Sequence, residues 1–299
     1  MRAVPDSLDP EVVRRVDARL DAVVRDERVA IPLAVESGSQ AWGFPSPDSD
    51  YDCRFLYVRS RADYLDPWPA RDVVETPLDA VLDVNGWDLL KAVRLMVRGN
   101  ATVTEWLRSR IVYRGDDGFR AEMLRLAEQV VNRDDMRRHY LHVALAQGRR
   151  HGAGDDGALV AGAGAAGPRL KTFFYVLRPA AALRWLRVHD GAVAPPIDLL
   201  RLLEESAAPG VVVRAAADLV ARKAVTREAG TGTVPGVLAR FVEDELDRAR
   251  TAVGTARNGV AADGVAGKRA AARETAAEAF RGLVDRYAPD VTRRPAPTV

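Results

Sequence analysis

Two aspartates at the head of an apolar strand, shortly after a Gly-Ser pair, constrain this chain more than any other feature. Gly38-Ser39 ends the apolar run 29–35, and Asp50 and Asp52 open the run that continues to residue 58. Residues two apart on a strand point to the same face, so these carboxylates are expected side by side. Like charges so close repel unless a cation lies between them. Oxygen ligands alone favour Mg²⁺, with Mn²⁺ as an alternative.

The Gly38-Ser39 turn supplies groups that can hold phosphate oxygens beside such a cation. Gly38 has no side chain and lets the backbone come close to a ligand. Ser39 offers a hydroxyl, and the turn offers backbone N–H groups. Together with Asp50 and Asp52, the turn predicts a site for phosphate oxygens beside a divalent cation.

Composition narrows the class of protein without identifying a partner. The chain has 299 residues, a formal net charge of +2 and one cysteine, Cys53. The near-neutral charge gives no independent support for binding nucleic acid. A single cysteine fits a reducing compartment, and no apolar run approaches the ~20 residues of a membrane span. The sequence therefore predicts a cytoplasmic protein with no membrane partner, and it leaves the oligomeric state open.

The order of the predicted elements indicates an α+β fold. A helix is predicted over 9–26, followed by strands over 29–35, 51–58, 73–75 and 80–84 and helices over 87–99 and 102–107. Only helical patterns follow from residue 119, apart from a Gly/Ala-rich linker at 152–168, and Pro179 is expected to kink or restart the helix that contains it. We predict a catalytic domain with a small mixed or antiparallel sheet at 1–118, a helical companion domain at 119–288 and a flexible tail at 289–299.

Several phrases of the sequence resemble one family. They are Gly-Ser-Gln-Ala-Trp-Gly at 38–43, Asp-Ser-Asp-Tyr-Asp at 48–52, Asp-Val-Asn-Gly-Trp-Asp at 83–88, Glu-Trp-Leu at 105–107, and Leu-Lys with Phe-Tyr-Val-Leu-Arg-Pro at 170–179. The chain resembles nucleotidyltransferases of the DNA polymerase beta superfamily, and more specifically the RlaP-type family grouped with RNA repair. The resemblance implies a palm fold, a two-metal mechanism and a helical domain that faces the palm.

The resemblance also implies a third carboxylate from a neighbouring strand. Asp83, between apolar residues, is the leading candidate, with Glu75 and Asp88 as rivals. Asp88 is expected chiefly to cap the helix that starts at Leu89. Asp50, Asp52 and Asp83 are thus the predicted catalytic residues and metal ligands.

Four further residues are predicted to bind the nucleotide with Gly38 and Ser39. Arg54 shares the face of Asp52, and two roles stay open for it: an ion pair with the acids, or a contact with substrate phosphate. Lys171, Tyr175 and Arg178 lie on one face of a predicted helix. In related enzymes a lysine and an aromatic ring from the helical domain contact triphosphate and base, which makes Lys171 the candidate for a phosphate contact.

The sequence thus predicts an Mg²⁺-dependent, ATP- or other NTP-binding nucleotidyltransferase that releases pyrophosphate. The acceptor is a hydroxyl group, and the family's link to RNA repair favours an RNA end. The alternatives are a catalytically silent nucleotide-binding or regulatory protein, and a nucleotidyltransferase that modifies a small molecule or a protein. Base preference and the choice between single addition and polymerisation stay open.

Overall fold

A five-stranded mixed sheet forms the amino-terminal part of the computed structural model, which describes residues 1–151, 170–225, 234–259 and 262–290. Its strands are β1 (Ala30–Glu36), β2 (Tyr51–Val58), β3 (Val73–Glu75), β4 (Leu82–Asp88) and β5 (Val112–Gly115). They lie in the order β3-β4-β2-β1-β5; β2 and β4 are parallel, and the other neighbours are antiparallel. The starts of β2 and β4 and the end of β1 therefore lie together at one end of the sheet.

Helices make up most of the remaining described residues. They are α1 (Pro10–Glu27), α2 (Arg61–Tyr64), α3 (Leu89–Val97), α4 (Ala101–Arg108), α5 (Asp117–Val130), α6 (Arg133–His151), α7 (Leu170–Val188), α8 (Leu199–Glu205), α9 (Gly210–Ala224), α10 (Gly236–Gly259) and α11 (Ala262–Tyr287). Several begin at the side-chain caps that the sequence offers, such as Asp9 for α1 and Asn100 for α4. None of the helices searched in the described part of the chain is both long and apolar enough to cross a membrane.

The two faces of the sheet bury different cores. Cys53, Phe55 and Tyr57 of β2 point to one side and pack against the apolar stripe of α1. Leu56 and Val58 point to the other side, where they join a larger core shared with the helices from α3 onward. By strand alternation, Asp52 and Arg54 lie on this second, helical side of the sheet.

The structure confirms the α+β class and corrects four local predictions. Strand β5, which was not predicted, adds an edge beside β1. Strand β4 continues to Asp88, so helix α3 begins two residues later than the pattern at Trp87 indicated. A short helix, α2, lies between β2 and β3, where no element was predicted. Helix α7 continues through Pro179 and does not restart there.

The predicted domain division and linkers stay predictions. One continuous core joins residues of β1 and β2 to residues of α5–α11, across the predicted boundary between 118 and 119. The predicted linker at 152–168 and the tail beyond residue 290 lie outside the described residues.

Candidate active site

Asp52 and Asp83 lie opposite each other on neighbouring parallel strands. The register of β2 and β4 pairs Asp52 with Asp83 and Arg54 with Asn85. Both aspartate side chains keep about a third of their surface exposed, at 30% and 31%. The two carboxylates therefore share one face and one end of the sheet, and solvent reaches both.

Arg54 joins the two carboxylates through a single nitrogen. Its Nη2 donates to Asp52 Oδ1 at 2.9 Å and to Asp83 Oδ2 at 2.6 Å, and its Nη1 donates to the Asp83 carbonyl at 2.8 Å. The remaining oxygen of Asp83 accepts from Asn85 Nδ2. Of the two roles left open for Arg54, the ion pair is confirmed, although its partners are Asp52 and Asp83. Asp50 is not among them.

The Gly-Ser turn lies directly against Asp52. Gly38 has φ +91°, and a Cβ built on it would stand 2.1 Å from Asp52 Oδ2. Only glycine fits there, because both the backbone conformation and the space exclude a side chain. Ser39 is largely buried, and the structure gives its hydroxyl no hydrogen-bond partner among the described residues. The turn is therefore placed as the sequence predicts, beside the second aspartate of the pair.

Asp50 stands apart from the other two predicted ligands. It precedes β2 and is exposed. Among the described residues, no group of three His, Cys, Asp or Glu side chains is arranged to hold a metal ion. In this arrangement Asp52 and Asp83 converge, and Asp50 does not complete a three-carboxylate cage with them.

The ligand atoms at this end of the sheet nevertheless suit a hard divalent cation. The two converging side chains offer only carboxylate oxygens, which are the ligands that Mg²⁺ prefers. A positive charge already lies between them, because the Arg54 guanidinium occupies that position. Asp52 and Asp83 are therefore the two side chains placed to hold such a cation.

A buried glutamate, which was not predicted from the sequence, accepts a hydrogen bond from the backbone of Asp52. Glu36 is fully buried; its Oε1 accepts the Asp52 N–H at 2.8 Å, and its Oε2 accepts the Tyr113 hydroxyl at 2.6 Å. Burial raises the pKa of Glu36 to about 8, although the bonds from Tyr113 and from the Asp52 N–H lower it. Glu36 is the one charged residue in the apolar run of β1, a signal that could have marked it.

The two rivals for the third carboxylate have other partners. Asp88 is buried, caps α3 by accepting the Leu90 N–H at 2.7 Å and pairs with Arg59, so its predicted capping role is confirmed. Burial raises the pKa of Asp88, and the Leu90 N–H lowers it. Glu75 lies on the edge strand β3, is exposed and pairs with Arg71 at 2.7 Å.

An aromatic group connects the Gly-Ser turn to helix α7. Trp42 contacts Tyr175 edge-on, with ring centroids 5.5 Å apart, and the Arg178 guanidinium lies 4.3 Å from the Trp42 ring centre. Tyr175 is partly exposed. The predicted face of α7 therefore does reach the turn that carries Gly38.

Arg178, predicted to bind the nucleotide, is held in a buried ion pair. Its Nη2 lies 2.9 Å from both oxygens of Glu105, and Glu105 also accepts the Tyr140 hydroxyl at 3.0 Å. The Arg178 side chain is only 8% exposed. The sequence did not indicate Glu105 as the partner of Arg178. In this arrangement the Arg178 guanidinium packs against the Trp42 ring. Lys171 belongs to the first turn of α7, and its side chain lies outside the described residues.

The residues after the Gly-Ser turn are fixed to the helices by long-range contacts. Lys223 of α9 is buried and donates to the Phe44 carbonyl, with its ammonium 4.9 Å from the centre of the Phe44 ring. The Leu199 N–H donates to the Trp42 carbonyl at 2.9 Å. A Cβ on Gly43 would stand 2.1 Å from an oxygen of Asp198, the cap of α8. The helical half therefore holds the turn against Asp52.

Comparison with known proteins agrees with this geometry. The family model described as RlaP, RNA repair pathway DNA polymerase beta family, matches residues 12–263. The chain belongs to the RlaP family. It is also similar to the uncharacterized protein YcgL of Bacillus subtilis (strain 168), with 33% identity over 235 residues that cover 79% of this chain and 85% of YcgL. Membership in the RlaP family confirms the predicted resemblance and indicates the nucleotidyltransferase class of the polymerase beta superfamily.

Proposed function

We propose that this RlaP-family protein transfers a nucleoside monophosphate from an NTP to a hydroxyl acceptor, with an RNA end as the favoured acceptor. In this reaction the acceptor oxygen bonds to the α-phosphorus, the bond from that phosphorus to the bridging oxygen breaks, and pyrophosphate leaves. The acceptor proton passes to solvent. The observation that carries the proposal is the alignment of Asp52 with Asp83 beside the Gly38 turn.

The residues at this end of the sheet have different roles in binding and orienting the substrates. Asp50, Asp52 and Asp83 would hold Mg²⁺, which would supply positive charge to the triphosphate and favour ionisation of the acceptor hydroxyl. Gly38 and Ser39 bind triphosphate oxygens through N–H groups and a hydroxyl. Lys171 contacts the phosphates, and Tyr175 contacts the base.

Arg54 has two successive roles in this proposal. Before the nucleotide binds, it neutralises Asp52 and Asp83, which would otherwise repel each other. The Arg54 guanidinium would leave the two carboxylates when a cation binds to them. It then lies within reach of the triphosphate, where a planar group of donors suits phosphate oxygens.

Carboxylate variants test the proposal by transfer of label from α-³²P-labelled NTP to single-stranded RNA in Mg²⁺. We expect Asp50→Asn, Asp52→Asn and Asp83→Asn each to lower transfer by about a hundredfold or more, because each removes charge from the cation site. Unfolding free energy should change by less than about 1 kcal/mol, since these groups are partly exposed. Glu75→Gln is the matched control and should keep wild-type transfer.

The outcomes separate the proposal from its alternatives. Wild-type transfer by Asp52→Asn would refute the metal assignment. If Glu75→Gln lost transfer and Asp83→Asn kept it, the third ligand would be Glu75 and not Asp83. Tight NTP binding without pyrophosphate release would favour a silent nucleotide-binding protein. Release of pyrophosphate without labelled RNA would favour a small molecule or a protein as acceptor.

A further inference from the structure

A cleft of about 600 Å³ lies between α3 and α11, outside the candidate active site. Aliphatic side chains of both helices and the ring of Phe280 line it. Of the predicted catalytic and nucleotide-binding residues whose side chains the structure describes, none belongs to this lining. The cleft is therefore a separate feature of the protein, large enough for part of a ligand of nucleotide size or larger.

Four arginines stand on the two walls of this cleft. Arg94 belongs to α3 and Arg98 is the residue that caps its carboxyl end, whereas Arg269 and Arg273 come from α11. Each pair is spaced i, i+4, which places its members on one helix face about 6 Å apart along the axis. Both walls therefore carry a short row of positive charge over an apolar floor.

Little of this charge is neutralised within the protein. Asp135 is the one acidic residue in the lining; it pairs closely with Arg138 and more distantly with Arg269, at 3.5 Å. The structure shows no ion pair between Arg94, Arg98 or Arg273 and the rest of the described chain. Among the described lining residues, four arginines and one carboxylate give the cleft an excess of positive charge, although the whole chain carries a formal charge of only +2.

This combination selects a particular kind of ligand. Arginine binds phosphate oxygens through two parallel hydrogen bonds, and exposed unpaired arginines over a cleft favour an anion. Two rows of charge suit a chain of phosphates better than one phosphate group. The apolar floor and Phe280 suit the faces of unpaired bases, which a duplex would keep stacked inside.

We propose that the cleft between α3 and α11 binds the phosphodiester backbone of a single-stranded RNA, away from its reacting end. The proposal rests on the proposed transfer to an RNA acceptor and adds a second contact region for that acceptor. It also explains how a nearly neutral chain holds a polyanion, because the charge is local. Arg94 and Arg98 are binding residues here and take no part in catalysis.

The test measures binding of a fluorescein-labelled single-stranded oligo(U) of about 12 nucleotides by fluorescence anisotropy, over a series of salt concentrations. Arg94→Ala/Arg98→Ala should bind at least about tenfold more weakly than wild type, with a salt slope smaller by about two. Arg94→Lys/Arg98→Lys should regain part of the affinity, because it keeps the charge. Arg240→Ala/Arg248→Ala removes two exposed arginines of α10 and should bind like wild type.

Several results would overturn the proposal. They are equal RNA affinity of wild type and Arg94→Ala/Arg98→Ala, no measurable RNA binding by wild type, and displacement of the RNA by equimolar UMP, which would indicate a small-ligand site. Equal affinity for oligo(dU) would overturn the assignment to RNA. Pyrophosphate release from NTP is measured on the same preparations to keep the two proposals distinct. If the enzyme is active but its RNA affinity is the same with and without Arg94 and Arg98, this inference is refuted and the proposed function is not.

Discussion

The buried carboxyl of Glu36 should make the stability of this protein depend on pH in a predictable direction. Burial raises its pKa from the usual 4.5 to about 8. Between these values the folded state keeps a proton that the unfolded state has released. Stability is therefore fully present below about pH 4.5 and is lost as the pH rises through about 8.

Glu36→Gln isolates this contribution, because glutamine resembles the neutral acid. Its amide oxygen can still accept the Asp52 N–H, and its NH₂ group can donate to the Tyr113 oxygen. The variant should therefore gain stability relative to wild type as the pH rises. At about 1.4 kcal/mol per pKa unit, the difference in unfolding free energy should grow by on the order of 3 kcal/mol between about pH 5 and pH 8.

Urea unfolding of both proteins across this pH range, in EDTA, measures the difference directly. Taking the difference removes the contribution of every other titrating group. Glu128→Gln on α5 makes the same chemical change at an exposed position and should follow wild type at every pH. Parallel curves for Glu36→Gln and wild type would refute the reasoning, since they would show that Glu36 ionises as freely in the folded state as in the unfolded one.

Two further substitutions test the contacts around the candidate site. Gly38→Ala should lower both transfer activity and unfolding free energy, the latter by roughly 1–3 kcal/mol, because its Cβ meets Asp52 Oδ2 at a positive φ; Gly282→Ala, which meets nothing within 4 Å, should be neutral or slightly stabilising in the same assays. Glu105→Gln should lower the free energy of unfolding, measured in urea, by about 3 kcal/mol, because it leaves the Arg178 guanidinium buried without its carboxylate. The exposed change Glu243→Gln is its control, and equal midpoints for the two variants would contradict the buried ion pair.

Local patterns in the sequence were sufficient for most of the secondary structure. Helices such as α1 and α3 and strand β2 depend on hydrophobic spacing and on caps within a few residues, so the sequence indicates them directly. Strand β5 was missed because its place in the sheet comes from pairing with β1, about 80 residues earlier, and not from its own local pattern.

The sequence by itself determined that the Gly-Ser turn lies close to Asp52, because the two are near neighbours along the chain. Only the tertiary structure decided which distant residues join them. The register of β2 with β4 brings Asp83 opposite Asp52, and chain folding adds Glu36 behind Asp52 and Glu105 beneath Arg178. It also brings the arginines of α3 and α11 together across one cleft. These pairings join residues far apart in sequence, and the packing of the shared core selects them, which no local pattern encodes.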